Sequence, residues 1–190
     1  MQCQYRINSS LLTKDKQKSI LESIRWCWTD SSILKRLVIN IMRQNYNVLV
    51  SPFFKTNDEI KFCIFKRSDL KIWQFVAGGG EGQESIFDSA LRELEEETGI
   101  KSNYKSLFKL ESMASVIIAH FPELANLPQY VIPVYSFSYC VENLKINLSK
   151  EHVKYMWLSY EEASELLHFD LDKTALWELN QRIKKMIFKK

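Results

Sequence analysis

The chain has 190 residues, 46% hydrophobic and 26% charged, with a formal net charge of +3; this balance excludes wholesale disorder and allows a full core without metal or disulfide staples. No apolar run nears the roughly 18 residues that span a bilayer, and the opening MQCQYRINSS lacks the apolar segment of a secretory signal. Cys3, Cys27, Cys63 and Cys140 have no C-x-x-C spacing, so a cytoplasmic protein with free thiols and no membrane partner is expected.

Residues 1–41 read as a helical N-terminal extension. Ile20, Leu21, Ile24 and Trp28 form one apolar stripe; Asp30 then offers an N-cap before Ile33, Leu34, Leu37, Val38 and Ile41. From Tyr46 the pattern turns to strands: Val48-Leu49-Val50, a polar turn at Thr56-Asn57-Asp58, then Lys61 to Phe65. Trp73 to Val76 predicts a short strand running into glycines, and Ser85 to Thr98 a helix. Val131 to Val141 and Val153 to Leu158 predict two more strands. Ser159 and Glu162 have capping-box spacing for a short helix. A last helix, Lys173 to Ile187, carries Leu176, Leu179, Ile183 and Met186 on one face. Strands around a mid-chain helix, with another helix at the end, predict an α/β or α+β sandwich.

Glycine is scarce and confined. At average usage of about 7% a chain this long would hold roughly thirteen; it has five, Gly78, Gly79, Gly80, Gly82 and Gly99. The same window carries Glu81, Glu84, Asp88, Glu93, Glu95, Glu96 and Glu97 against Arg92 alone, so it is net −6 and the remainder is +9. Ser85 with Asp88 predicts a capping box, and Gly99 a left-handed C-cap. Phe87, Ala90, Leu91 and Leu94 supply the buried face. Glu93, Glu96 and Glu97 fall on another face, where like charges at i, i+3 and i+4 destabilise a helix by a few tenths of a kcal/mol per pair. A hard divalent cation would reverse that repulsion, whereas a lone E-x-x-E-E would read as a solvated acidic face.

Taken whole, the string from Gly78 through Glu84 and Arg92-Glu93-Leu94-Glu95-Glu96-Glu97-Thr98-Gly99-Ile100 fits G-x5-E-x7-R-E-U-x-E-E-x-G-U, where U is aliphatic. It resembles the Nudix hydrolase signature at every fixed position. Gln83 stands where many members have a glycine. A second stretch, Glu151-His152-x-x-Tyr155-x-Trp157-Leu158, resembles the E-H-x-x-Y-x-W-L segment of the branch that cleaves nucleoside triphosphates and dihydroneopterin triphosphate, as does the lead-in Trp73-Gln74-x-Val76-x-Gly78.

The resemblance implies an α/β/α sandwich with a mixed sheet and Mg²⁺- or Mn²⁺-dependent cleavage of a nucleoside or pterin triphosphate to monophosphate and pyrophosphate. Dinucleotide polyphosphates or RNA 5′ ends are the alternative substrates, and a nucleotide-sensing module without catalysis is the alternative class. It implies Glu93, Glu96 and Glu97 as metal ligands, with Glu84 and the Ala77 carbonyl in support. Glu151 becomes a metal ligand or the general base. Arg92 lies four residues before Glu96, at the spacing of an orienting ion pair. Gly78 and Gly79 let the backbone approach phosphates. Arg67 is a candidate phosphate contact, and Trp73 and Phe75 are candidates for stacking on a base, with core packing the competing reading for both aromatics. His152 and His168 read as structural. Asp170 to Trp177 resembles the branch's last helix, either bordering the substrate or packing in the core. The basic tail at Lys184, Lys185, Lys189 and Lys190 is read as a solvated helix end, so nucleic acid is not the expected partner.

The catalytic unit is expected over residues 42–190. The first 41 residues are either a cap that forms a homodimer or covers substrate, or an upstream segment included by choice of start codon, and the second is preferred.

Overall fold

The computed structural model describes residues 43–125 and 127–187. The expected helices of residues 1–41, the last three residues and the side chain of Met186 lie outside what is described. Seven strands form one sheet: β1 (Arg43–Lys55), β2 (Ile60–Arg67), β3 (Trp73–Gln74), β4 (Val76–Glu81), β5 (Leu107–Ile117), β6 (Val131–Cys140) and β7 (His152–Leu158). Its main path runs β3-β2-β1-β6-β5, with β4 also paired to β1 and β7 to β2. The β1–β6 pair is parallel and the other pairs are antiparallel, so the sheet is mixed as expected. The α-helices among the described residues are α1 (Ile86–Thr98), α2 (Tyr160–Leu166) and α3 (Asp170–Ile187).

Period-two alternation sorts the core into two halves. Leu49, Phe53, Phe62 and Ile64 face Ala163 and Leu167, at α2 and its end, and Ala175, Leu176, Leu179 and Ile183 of α3. Their neighbours Val48, Val50, Cys63 and Phe65 face Ala90 and Leu94 of α1. Both faces are covered, which is why β1 reads as an unbroken buried run over residues 48–53 rather than as alternation.

Local chemistry sets the ends of α1. The Ser85 hydroxyl accepts from the Asp88 N–H while Asp88 returns a bond from the Ser85 N–H, and Gly99 closes the helix at φ 68°. A side chain at that left-handed residue would be strained and would crowd Asn147.

Three elements depart from expectation. The strand β5 was not predicted: its burial alternates after Leu110, but Met113 and Ile117 lie on the exposed face and Ser112 on the inner one, so residue type does not follow the alternation. The helix α3 begins at Asp170 rather than Lys173, because Asp170 and Asp172 favour the positive end of the helix in its first turn. Trp177 is 55% exposed, so core packing does not account for it.

Candidate active site

The strand β4 and the helix α1 meet across Gly78. A Cβ built there would lie 2.0 Å from the Glu93 carboxyl carbon, far inside contact distance, so only glycine lets this carboxylate rest on the backbone. The sequence places a helix directly after the glycine strand, and the Ser85 cap fixes where that helix starts.

Arg92 organises the acids. Its Nε donates to Glu84 Oε1 at 2.8 Å, and Nη1 donates to Glu93 Oε1 and Glu96 Oε2, both at 2.9 Å. Nη2 donates to the Gly79 carbonyl at 2.6 Å. The expected pairing with Glu96 is therefore one of five hydrogen bonds to four residues. Burial opposes the guanidinium's charge, but Glu84 and Glu93 outweigh it and hold its pKa above the ordinary value. Glu84 also accepts from the Glu81 N–H at 3.0 Å and the Ser89 hydroxyl at 2.9 Å, so it braces the loop before α1. Burial would raise Glu84; Arg92, the Glu81 N–H and the Ser89 hydroxyl together more than offset this, and its pKa is lowered. Glu93 goes the other way. Burial raises it to about 7, and the nearby charges of Glu97 and Glu96 add to that against Arg92.

Glu97 is 2% exposed and faces His152, whose Nε2 lies 2.5 Å from Glu97 Oε2. Burial raises the Glu97 pKa while the His152 contact opposes the rise, and Glu151 adds repulsion. His152 also packs against Phe65 with ring centroids 5.2 Å apart. Sequence reasoning gave this histidine no place at the site, because its partner lies on α1 and no local spacing links the two.

Beside this network lies a cleft of about 900 Å³. It brings together Arg67, Ala77, Gly78, Gly79 and Glu151 from the expected set. Arg67 is held by Asp69 through two hydrogen bonds, Nε to Oδ1 at 2.8 Å and Nη2 to Oδ2 at 2.6 Å. The two expected stacking aromatics are elsewhere. Phe75 is 0% exposed and fixed in the core, with no ring face to offer a ligand. Trp73 is half-buried against the α2–α3 side of the core, with Lys66 Nζ 5.9 Å from its ring centre, and does not line the cleft. Phe169, just before α3, lines it instead and is 42% exposed. Gln74, Asp170, Asp172 and Arg43 also line the cleft without having been singled out as site residues; only the Asp170–Trp177 resemblance signalled part of that wall.

Among the described residues no three His, Cys, Asp or Glu side chains are already gathered at metal-binding distances; Arg92 and His152 occupy the acids instead. The donor chemistry nevertheless fits a hard divalent cation: several carboxylates, one resting on a glycine backbone, supply the oxygens such ions prefer.

Comparison with known proteins gives one consistent result. The NUDIX domain model matches residues 46–178. The chain is 32% identical over 132 residues to the asymmetrical bis(5′-nucleosyl)-tetraphosphatase of Mus musculus, covering 66% of this chain and 82% of the relative. It is 29% identical over 132 residues to the dihydroneopterin triphosphate diphosphatase of Haemophilus influenzae, covering 65% and 80%. A solved structure of a candidate NUDIX hydrolase from Listeria monocytogenes superposes with a TM-score of 0.68 at 40% identity, covering 76% of this chain and 97% of that one.

Proposed function

This chain belongs to the NUDIX domain family and is a hydrolase of phosphoanhydride bonds; from that premise we propose that it converts a nucleoside or pterin triphosphate to the monophosphate and pyrophosphate. The observation that carries the reading is the seating of the Glu93 carboxylate on Gly78, at the edge of a cleft that also holds Glu151 and two arginines. Glu93, Glu96 and Glu97 would hold Mg²⁺ or Mn²⁺, with Glu84 and the Ala77 carbonyl in support. When bound, such a cation neutralises phosphate charge and makes water a better nucleophile.

The chain's own groups supply the rest. Gly78 and Gly79 carry no Cβ, so the Glu93 carboxylate rests on one and the Arg43 guanidinium on the other at the cleft wall. Arg43 and Arg67 line the same cleft and attract the polyphosphate. Glu151, exposed on the cleft wall, is the proposed base. It takes a proton as a water oxygen bonds to one phosphorus and the bridging oxygen leaves with pyrophosphate.

Two observations favour a second reading, cleavage of a dinucleoside polyphosphate: the 32% identity with the mouse tetraphosphatase and the size of the cleft. A magnesium-dependent screen with product analysis separates the two. Pyrophosphate release from a triphosphate supports the first. Conversion of a dinucleoside tetraphosphate to a triphosphate and a monophosphate supports the second. Nucleotide binding with no turnover of any diphosphate-containing compound would leave only a sensing role.

A further inference from the structure

The strand β7 changes phase where it enters the site. Tyr155 and Trp157 pack on the α1 side of the sheet, and simple alternation would turn Val153 to that side too. The register slips instead: Lys66 pairs with Lys154, but Arg67 pairs with His152. The extra residue leaves Val153 and Lys154 both exposed and swings His152 inward, where it is buried. The ring packs on Phe65, and its Nε2 meets Glu97 Oε2 at 2.5 Å.

Backbone bonds fix this approach. The Asn147 N–H donates to the Thr98 carbonyl at 2.8 Å, and the Ser149 N–H to the Glu97 carbonyl at 3.0 Å. Both carbonyls lie at the end of α1, where the helix cannot satisfy them itself. One segment thus holds Glu97 twice, its backbone through Ser149 and its carboxyl through His152. The adjacent Glu151 belongs to the cleft wall, and its carbonyl accepts the Ser68 N–H at 2.8 Å.

The ring's other nitrogen decides where the proton sits. His152 Nδ1 is buried and meets no partner among the described residues. A proton there would be an orphan donor, and the bare Nε2 would then face a carboxylate oxygen, lone pair to lone pair. With the proton on Nε2, the ring donates to Glu97 and buries only an unprotonated nitrogen. The Ala77 amide also bonds the Glu97 carboxyl. A carboxylate has about four lone-pair sites, so two donors leave acceptor capacity for a cation.

We propose that His152 is a positioning residue for the metal site: as the Nε2–H tautomer it holds the Glu97 carboxylate ready for a divalent cation. The proposal rests on the reading that Glu97 is a metal ligand. Fixing a flexible side chain beforehand removes an ordering cost from cation binding. The bulge in β7 is then the device that brings the ring to the helix.

The test measures Mn²⁺ binding to the full chain without substrate, by electron paramagnetic resonance. It compares the wild type with His152→Gln, His152→Asn and His152→Leu. A glutamine amide reaches about the place of Nε2 and can donate to Glu97; an asparagine amide ends near Nδ1 and cannot. The leucine variant is expected to bind Mn²⁺ about ten- to a hundredfold more weakly. Glutamine should return the affinity to within about fivefold of the wild type, and asparagine should not. Wild-type affinity in the leucine variant, or equal recovery by asparagine and glutamine, would overturn the role. The second comparison still decides the matter if the leucine variant does not fold. Heteronuclear NMR of the metal-free wild type should find the proton on Nε2; a proton on Nδ1 alone would also overturn it. A wild type that binds no Mn²⁺ would sink the metal reading and the proposal together, whereas binding indifferent to the His152 variants would sink the proposal alone.

Discussion

Glu93 and Asp172 reach the same ionisation by different routes. Burial pushes both up to about 7, but Glu93 sits 2.9 Å from a guanidinium among other acids, whereas Asp172 meets the Phe75 N–H, its own amide and no charged partner among the described residues. On α1, repulsion between carboxylates is balanced by Arg92, an arrangement that an added cation can take over. At the start of α3, a single acid is left facing the cleft. Similar acidity at two places thus arises from two different surroundings.

The difference can be broken most severely at the α1 end. Glu97→Gln is expected to lower kcat by about a thousandfold or more while circular dichroism shows the fold retained; near-normal turnover would remove Glu97 from the mechanism. Arg92→Lys comes next. A lysine ammonium cannot reach the four acceptors that Arg92 serves, so kcat should drop by roughly ten- to a hundredfold and thermal stability should fall by about 1 to 3 kcal/mol.

The α3 end is sharpened by pH. The ordinary Asp172 value is 3.8 and its folded value about 7, so between these the folded chain holds a proton that the unfolded chain has released. Stability from this group is therefore lost as pH rises from about 4 to about 7 and is flat beyond. Asp172→Asn removes that slope, and melting curves across the interval should show the wild type losing roughly 2 to 4 kcal/mol relative to the variant. Parallel curves would mean that the carboxyl is not buried as described. The smallest effect belongs to Glu95, exposed between the site acids: Glu95→Gln should change kcat/KM by less than about twofold.

What the sequence made legible is what lies close together along it. The caps of α1, its buried stripe, its acidic face and the left-handed Gly99 all follow from spacings of three to five residues. The contacts that cross the fold were silent. His152 meets Glu97, and Asp172 meets Phe75, only because separate elements pack together. Phe75 was read as a stacking candidate because a strand aromatic looks alike whether it faces solvent or core; its place between the two layers decided the matter. The strand β5 escaped because apolar Met113 and Ile117 stand on its exposed face, so its alternating burial is not written as alternating polarity.

The parallel pairing of β1 with β6 has a consequence for how the chain is made. Asn47 to Phe53 pair with Val134 to Cys140, so one edge of the central strand waits for a partner synthesised long after the α1 acids have left the ribosome. Until then β1 exposes a row of unpaired backbone groups beside strongly apolar side chains, a template for wrong pairing. Loop closure over that distance is a slow step by its topology. The pairing at the middle of the sheet is then expected among the slow steps of assembly.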